Sequence, residues 1–391
     1  MIDFGLTDEQ SLLVATVRRF IETELQPFEK EVEETGKLDE RHARTIFEKS
    51  RALGLYATNM PAELGGGGLS AVDTALVEEQ FGHTSDILIR RAFGNVYDVL
   101  LLCDDLQRER WLLPAIQGRR TCSIAITEPG AGSDAAGIRT RANRDGQGWR
   151  LTGSKHFISD GLFSDFFIVS AVTDPAAGSR GISLFLVDKD LPGVRVGKDQ
   201  PMMGLRGTSH VELFFDDVQL DQMTLLGREG EGLRAALTTL GRVRLMQVGA
   251  RAVGKAAHVL AQTISYAGDR HQFGRPLADF QLVQGMIADS VIDVVSARLL
   301  VRRAAWELDQ GRDARELIAM VKVHAAEALG RVVDRAVQIH GGMGFAKELP
   351  IERYFRDARV YRIFDGASEV HRVAIARAAV KAGARAFDEG Y

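Results

Sequence analysis

Apolar side chains near the N-terminus recur at the spacing of one helix face, and they include Leu12, Leu13, Val17, Phe20 and Ile21. Thr7, with Glu9 and Gln10 behind it, is a typical helix start, and Pro27 predicts a bend or an end of this helix. Further helices are predicted over 41–55 and 72–81, with a glycine turn at 65–68 between them. Residues 1–118 are therefore predicted to form a helical N-terminal domain.

The pattern changes between about residue 119 and residue 226. Short runs of β-branched and aromatic residues alternate there with glycine, proline or aspartate turns. The predicted strands are 120–126, 148–159, 165–172, 181–188, 194–197 and 210–218. Several short strands at this spacing are typical of a compact antiparallel β domain.

Helical periodicity returns from residue 227 onward. Long helices are predicted over 243–268, 282–309 and 313–340, and the last of them ends at Gly341 and Gly342. Long helices with short connections indicate a bundle. The predicted fold class is α+β, with an N-terminal helical domain (1–118), a middle β domain (119–226) and a C-terminal helix bundle (227–391).

Composition narrows the function classes. The chain has 391 residues, 26% of them charged, with a net charge of −4, so no general affinity for nucleic acid or an anionic membrane is expected. Neither a bilayer-spanning apolar run nor a secretory signal is expected. With only Cys103 and Cys122, a disulfide framework is not expected, and a cytoplasmic location is the simpler interpretation. No HExxH or CxxC spacing occurs, which argues against a metal site.

One segment combines a strand with a glycine-rich turn, IAITEPGAGSD at 124–134. Glycines let backbone N–H groups approach an anion, and the hydroxyls of Thr127 and Ser133 could add contacts. The same composition also fits a plain turn between a strand and a loop, which composition alone favours.

Five short segments, taken in order along the chain, form the most specific pattern. They are TEPGAGSD at 127–134, GSKHFIS at 153–159, DRHQFG at 269–274, QIHGGMGF at 338–345 and YRIFDGASEVHR at 361–372. In sequence and order these segments resemble the acyl-CoA dehydrogenase family, and the resemblance covers essentially the whole chain. It implies an FAD cofactor, an acyl-CoA substrate, and an electron-transfer flavoprotein as electron acceptor.

The resemblance also implies which residues line the flavin. The segment 124–133 would lie beside the ring and the pyrophosphate, and its contacting residues would be Ile124, Ile126, Thr127, Gly132 and Ser133, the last of which could also touch the acyl-CoA. Phe157 and Ser159 would pack on and hydrogen-bond to the isoalloxazine, at positions where the family often has Trp and Thr.

A second set of residues is implied to hold the adenosine end of FAD across a subunit boundary, so a homotetramer or at least a dimer is expected. This set comprises Arg270, Phe273, Gln281, Gln338, Gly341, Gly342 and Gly344, and the resemblance further adds Ser368 and Glu369 as cofactor contacts. A guanidinium at Arg270 suits a pyrophosphate. On position alone, a charge that only caps the end of a helix is the plainer interpretation of Arg270.

The family places its catalytic Glu directly before the glycine of the last segment, but this sequence has Asp365 before Gly366. Removing a proton beside a thioester needs a carboxylate of raised basicity. Asp365 could serve as that base, another base could act, or the site could have lost dehydrogenation. A minority of the family places the base near 241–245, but this stretch contains no carboxylate. The substrate-contacting arginine is ambiguous between Arg242 and Arg244; we assign Arg244, with Ser133 and Gly366, to the substrate.

The leading hypothesis is α,β-dehydrogenation of an acyl-CoA, with Asp365 as base and FAD as hydride acceptor. The alternatives are a nitroalkane-oxidase-like flavoenzyme, a dehydrogenase of carrier-protein thioesters, and a non-catalytic paralogue that serves as a partner subunit. The glycines at 66–68 follow no clear strand and are not expected to bind a dinucleotide. His324 and His340 are interpreted as packing or capping residues.

Overall fold

A computed structural model describes residues 5–383. The N-terminal part is helical, and its helices are α1 (Asp8–Phe20), α2 (Glu29–Thr35), α3 (Glu40–Ala52), α4 (Ala71–Phe81), α5 (Asp86–Phe93), α6 (Asp105–Gln107) and α7 (Leu113–Ile116). The helix start at Thr7 is confirmed, because its hydroxyl accepts from the Gln10 N–H while the Gln10 side chain accepts from the Thr7 N–H. The bend at Pro27 is confirmed too: a π turn and a 3₁₀ turn, Gln26–Phe28, separate α1 from α2.

The middle part is one eight-stranded sheet. Its strands are β1 (Cys122–Ala125), β2 (Arg141–Asp145), β3 (Gly148–Ser159), β4 (Phe166–Val172), β5 (Ile182–Asp188), β6 (Val194–Asp199), β7 (His210–Leu220) and β8 (Leu225–Leu226). The main path runs β6-β7-β3-β2-β4-β5-β8, and β1 pairs with β4. All six predicted strands are present, whereas β2 and β8 were not predicted.

The predicted antiparallel arrangement holds for most strand pairs but not for all of them. Strand β1 pairs with β4 in parallel, with Cys122 opposite Phe166, and β2 meets β4 in parallel at Arg141 and Val172. The hairpin of β2 and β3 lies between β1 and β4 in the chain, and such a crossover connection lets two strands run in the same direction. Both faces of β4 are buried, because Phe166 packs toward the N-terminal helices and Phe167 toward β3 and β7.

The C-terminal part is a helix bundle, which confirms the α+β prediction. Its helices are α8 (Gly232–Val243), α9 (Arg251–Asp269), α10 (Gln281–Asp309), α11 (Arg315–His340), α12 (Gly342–Phe345), α13 (Ile351–Ala358) and α14 (Ser368–Ala382). The predicted helix over 243–268 begins earlier, because a π turn, Arg244–Ala250, joins α8 to α9. A small hairpin, β9 (His271–Gln272) with β10 (Arg275–Pro276), separates α9 from α10. Across residues 5–383, no helix has the length and apolarity needed to cross a membrane.

Two glycines let α9 cross the N-terminal helices at backbone contact. A Cβ added to Gly254 would lie 1.7 Å from the Glu79 carbonyl oxygen, and one added to Gly82 would lie 2.3 Å from the Lys255 backbone nitrogen. Real Cβ atoms do not approach this closely, so both positions require glycine.

Buried ion pairs join the same two parts of the chain. The Arg251 guanidinium lies 2.7 Å from Glu78, and the Lys255 ammonium lies 3.1 Å from Asp86. Burial by itself disfavours the Asp86 carboxylate, but the nearby cations outweigh it and lower its pKa to about 2. A charged partner removed from such a network leaves an uncompensated buried charge, so these pairs fix how the helices dock.

We expect Gly254→Ala to lower the free energy of unfolding by at least about 3 kcal/mol, because the helices must separate to admit the methyl group. Gly268→Ala in the same helix is the matched control: it has no atom within 4 Å of the added Cβ and should stabilise by up to about 1 kcal/mol. Urea denaturation of both variants measures the difference. Equal stability of the two would show that the crossing tolerates a side chain.

Candidate active site

The glycine turn after β1 has exposed residues on the protein surface. Glu128 and Ala131 exchange two backbone hydrogen bonds of 3.1 Å, which closes the turn. Gly130 and Gly132 have no atom within 4 Å of an added Cβ, and Ser133 is exposed. The turn therefore presents backbone and hydroxyl groups to an incoming ligand.

A buried ion pair supports this turn from beneath. The Lys155 ammonium lies 2.8 Å from the Glu128 carboxylate and also donates to the Ile126 carbonyl at 3.1 Å. Glu128 accepts in addition from the backbone N–H groups of Arg139 and Thr140. Burial lowers the pKa of Lys155 to about 8, although Glu128 opposes the shift. Both residues lie in the quoted segments 127–134 and 153–159, but nothing in the sequence marked them as a pair.

The end of β3 brings two predicted flavin residues beside the turn. The His156 N–H donates to the Thr127 carbonyl at 2.8 Å, which ties β3 to the glycine turn. Phe157 has a left-handed φ of 56°, stacks on the His156 ring at 4.0 Å, and is 49% exposed. The Ser159 carbonyl accepts from the Ser123 hydroxyl at 2.6 Å. Thr127, Phe157 and Ser159 are thus held in one region of the surface.

Asp365 occupies a constrained position before α14. Its φ is 53°, in the left-handed region, and the following Gly366 has a φ of 90°. Two side chains meet its main-chain carbonyl: Arg244 Nε donates to it at 2.6 Å, and His371 Nε2 lies 3.2 Å away. Asp365 keeps some exposed surface, yet the surrounding protein restricts the hydration of its carboxyl group.

The charge balance at Asp365 favours proton uptake. Burial raises the pKa of this carboxyl group, and it outweighs the opposing charges of Arg244, Lys322 and Arg90. Lys322 is fully buried on α11, and its ammonium makes no hydrogen bond within residues 5–383. Burial lowers the pKa of Lys322 to about 8. A carboxyl group of raised pKa in a partly enclosed site is a candidate general base.

Arg90 lies at the end of the sheet. Its guanidinium lies 2.5 Å from the carboxylate of Asp160, which directly follows Ser159. The charge of Arg90 also favours the ionised form of the Asp365 carboxyl group. We call Thr127, Phe157, Ser159 and Asp365 the ring-side group.

The remaining predicted cofactor residues lie at one end of the helix bundle. The ends of α9 and α11 meet there, because Tyr266 stacks on His340 with ring centroids 4.2 Å apart. We call these residues the bundle-end group: Arg270, Phe273, Gln281, Gln338, Gly341, Gly342 and Gly344. All are exposed except Gly344, and Phe273 is 93% exposed. Within residues 5–383, no hydrogen bond, ion pair or ring contact joins the bundle-end group to the ring-side group.

Ser368 and Glu369 begin α14, next to Asp365. Ser368 is fully buried, and its hydroxyl has no hydrogen-bond partner among the described residues. Glu369 is exposed, 3.9 Å from Arg362. His340 and His324 have packing contacts, as expected: His340 bonds the Ala336 carbonyl and His324 bonds the Ser296 hydroxyl.

The sequence matches three family profiles in the order of these parts. They are the acyl-CoA dehydrogenase N-terminal domain over residues 7–119, the middle domain over 123–218 and the C-terminal domain over 230–380. The chain belongs to the acyl-CoA dehydrogenase family.

Individual relatives match over almost the whole chain. The acryloyl-CoA reductase (NADH) of Anaerotignum propionicum is 35% identical over 390 residues, which cover 97% of this chain and 96% of that protein. The structure of butyryl-CoA dehydrogenase from Megasphaera elsdenii has a TM-score of 0.89 at 32% identity and covers 96% of this chain and 99% of its own. The FAD complex of PigA has a TM-score of 0.90 at 29% identity, with coverage of 98% and 100%.

The cofactor of this member of the acyl-CoA dehydrogenase family is FAD. The described residues offer groups and space that suit this cofactor. Among the described residues, the buried Ser368 hydroxyl lacks a hydrogen-bond partner, and no other atom fills the space around Gly130, Gly132, Gly341 and Gly342. Phe273 projects an exposed ring from the hairpin beside Arg270. In residues 5–383, no group of three or more His, Cys, Asp or Glu side chains could hold a metal ion.

We expect Lys155→Met to lower the free energy of unfolding by about 3–5 kcal/mol, since it leaves Glu128 charged and buried without its cation. The purified variant should also contain less FAD, because the glycine turn loses its support. Lys198→Met, at an exposed position of the same sheet, is the control and should change neither quantity. Urea denaturation and the flavin-to-protein absorbance ratio give the two readouts. A Lys155 variant with normal stability would contradict this role for the pair.

Proposed function

We propose that this protein is an FAD-dependent acyl-CoA dehydrogenase that uses Asp365 as its catalytic base. The observation that carries the proposal is the position of Asp365, which has a carboxyl group of raised pKa and lies directly before Gly366 in the matched C-terminal domain. A raised pKa makes the carboxylate a stronger base toward a weakly acidic carbon.

In this proposal Asp365 removes the proton from the carbon next to the thioester carbonyl. When bound, FAD would supply the oxidant for this reaction, a hydride acceptor for the neighbouring carbon, and loss of the proton and the hydride would leave a carbon–carbon double bond. Thr127, Phe157 and Ser159 would hold the flavin ring of FAD. The rest of the flavin-binding surface would be formed by Ile124, Ile126, Gly132 and Ser133. Ser368 and Glu369 would contribute from the start of α14.

Arg244 has a positioning role in the proposal. Its Nε donates to the main-chain carbonyl of Asp365, and its charge favours the ionised carboxylate. Arg242, the other candidate for the substrate contact, lies 3.2 Å from Asp98. Contact of Arg244, Ser133 or Gly366 with the substrate remains part of the proposal and rests on the family pattern.

Two groups of cofactor residues that make no mutual contacts in the described chain, 5–383, support a homo-oligomeric enzyme. One chain would contribute the ring-side group and its neighbour the bundle-end group, so that a complete FAD site needs two copies. Exposed apolar side chains on α10 agree with a covered face, for example Leu282 (85% exposed) and Ile292 (65%). A dimer or a tetramer satisfies this requirement.

An electron-transfer flavoprotein is the proposed electron acceptor. The reverse reaction is the second candidate, because the relative from Anaerotignum propionicum is named a reductase and is aligned over 97% of this chain. Both directions use the same carbon–carbon bond and the same base position. Dehydrogenation is the direction to test first, because the reduction of bound flavin by acyl-CoA changes its visible absorbance.

We expect acyl-CoA to bleach the flavin absorbance anaerobically in the wild-type enzyme, and Asp365→Asn to slow this by about 10²–10⁴-fold through loss of the base. Asp216→Asn is the matched control, because Asp216 is exposed on β7 and should leave the rate unchanged. Stopped-flow absorbance over a panel of acyl-CoAs provides the rates. Bleaching by Asp365→Asn at the wild-type rate would disprove the assignment of the base.

The pH dependence tests the role of Arg244. The base works only when ionised, so the bleaching rate should rise with pH through the raised pKa of Asp365. Arg244→Gln removes a cation that favours the carboxylate, and the acid limb should therefore move to higher pH by about one unit. Arg244→Lys retains the charge and should keep the limb near its original position. Arg234→Gln, an exposed change on α8, is the control; an unshifted limb in Arg244→Gln would contradict the proposed coupling.

A further inference from the structure

A small cavity lies between α5 and the junction of α8 with α9. Its volume is about 70 Å³, and Arg90, Tyr97, Val243 and Gln247 are among the residues that line it. Val243 and Gln247 flank Arg244 in the chain, and Arg244 Nε donates to the Asp365 carbonyl at 2.6 Å. Because of this link, the far end of an acyl chain whose first carbons lie at Asp365 is placed in this cavity.

A second cavity adjoins the first. Its volume is about 240 Å³, and Arg90, Gly94, Asn95 and Val96 line both cavities. Arg90 is paired with Asp160, and both side chains are 15% exposed. A long acyl chain would have to displace residues of this shared wall to enter the larger cavity, and separating Arg90 from Asp160 would leave charges uncompensated. The small cavity therefore favours a short acyl group.

Part of the wall is polar. Gln247 donates from its side-chain amide to Asn95 Oδ1 at 3.1 Å, and Asn95 donates in turn to the Tyr97 hydroxyl oxygen at 2.8 Å. Since Tyr97 accepts in this chain, its own O–H proton is left to donate elsewhere. The Tyr97 hydroxyl group thus has capacity for an acceptor oxygen in the cavity.

The charges around the cavity are balanced. Arg242 lies 3.2 Å from Asp98, Arg251 lies 2.7 Å from Glu78, and Arg90 is paired with Asp160. A carboxylate on the acyl chain would find no cation without a counter-ion and would lose its hydration. A plain alkyl chain would exclude water from the polar groups without replacing its hydrogen bonds, which disfavours it. A neutral oxygen substituent avoids both penalties.

We propose that the cavity selects short acyl-CoA thioesters that carry a neutral oxygen substituent, such as a hydroxyl group, near the end of the chain. Tyr97 is its specificity-determining residue, and the Gln247–Asn95 amide pair positions the Tyr97 hydroxyl group. This inference rests on the proposed dehydrogenase function and adds the substrate class to it. Apolar side chains on the remaining wall, among them Phe93, Val96 and Met246, would pack against the methylene groups.

The test compares matched pairs of substrates on the FAD-loaded enzyme. The pairs are butyryl-CoA with 4-hydroxybutyryl-CoA and pentanoyl-CoA with 5-hydroxypentanoyl-CoA, and glutaryl-CoA and octanoyl-CoA probe charge and length. Flavin bleaching by the wild-type enzyme gives kcat/KM, and calorimetric titration of Asp365→Asn gives Kd without turnover. We expect the hydroxylated member of at least one pair to be preferred by about tenfold or more, the equivalent of one net hydrogen bond. Glutaryl-CoA and octanoyl-CoA should bind more weakly.

Two variants locate the preference. Tyr97→Phe removes only the hydroxyl group, and Gln247→Leu replaces the amide by an apolar group of similar size; each should reduce the preference to within about threefold by removing one hydrogen bond. Gln219→Leu, at an exposed position on β7, is the control and should keep it. If Gln247→Leu fails to fold, the more conservative Tyr97→Phe still tests the proposal.

The possible outcomes separate the two proposals. Flavin bleaching with equal or better use of the unsubstituted member of both pairs overturns the substrate class and leaves the dehydrogenase function standing. A preference that survives in both variants overturns the assignment of the residues. An enzyme whose flavin none of the acyl-CoAs bleaches overturns the proposed function and the substrate class with it.

Discussion

The close crossing of α9 over the N-terminal helices is the constraint on which the site depends. Gly254 and Gly82 allow backbone contact there, and the buried pairs of Arg251 with Glu78 and Lys255 with Asp86 fix the docking. Helix α9 continues backward through the π turn, Arg244–Ala250, so its position determines where Arg244 and the cavity wall lie. A shift of this crossing would move the support of Asp365 and the cavity together.

The sheet positions the glycine turn and the end of β3 through contacts that are separate from the α9 crossing. Lys155 and Glu128 join β3 to the glycine turn from below, while His156 joins them at the surface. The Arg90–Asp160 pair then links the sheet to α5. Two buried charge pairs thus hold the proposed flavin-binding surface against the N-terminal helices, because a buried ion pair tolerates little displacement.

The sequence predicted the features that depend on local patterns. Thr7 with Gln10 caps a helix, β3 spans Gly148–Ser159 as predicted, and α11 ends at His340 just before the predicted glycine stop. Strand β2 escaped prediction because its sequence, RANRD, is polar and mostly exposed. The parallel pairing of β1 with β4 could not be predicted, because no local signal specifies which distant strand becomes a neighbour.

The same limit applied to the candidate site. The positions of Thr127, Phe157 and Asp365 were predicted from the family resemblance. In the structure, a hydrogen bond from the His156 N–H joins Thr127 to the strand that carries Phe157. The partners Lys155 with Glu128, Arg90 with Asp160 and Arg244 with Asp365 are separated by 27, 70 and 121 positions in the chain. Their pairing results from tertiary packing, which periodicity does not encode.

An aspartate at the proposed base position has a physical consequence for the rest of the site. Aspartate tolerates the left-handed φ of 53° better than most residues, but its shorter side chain brings the carboxyl group closer to the main chain. The reach of the base then depends strongly on where the backbone lies. Arg244 and His371 both contact the Asp365 carbonyl and hold that backbone. In this arrangement a shorter base needs a more tightly held main chain. Arg244, which helps to hold it, lies in the chain between Val243 and Gln247, two residues of the cavity wall.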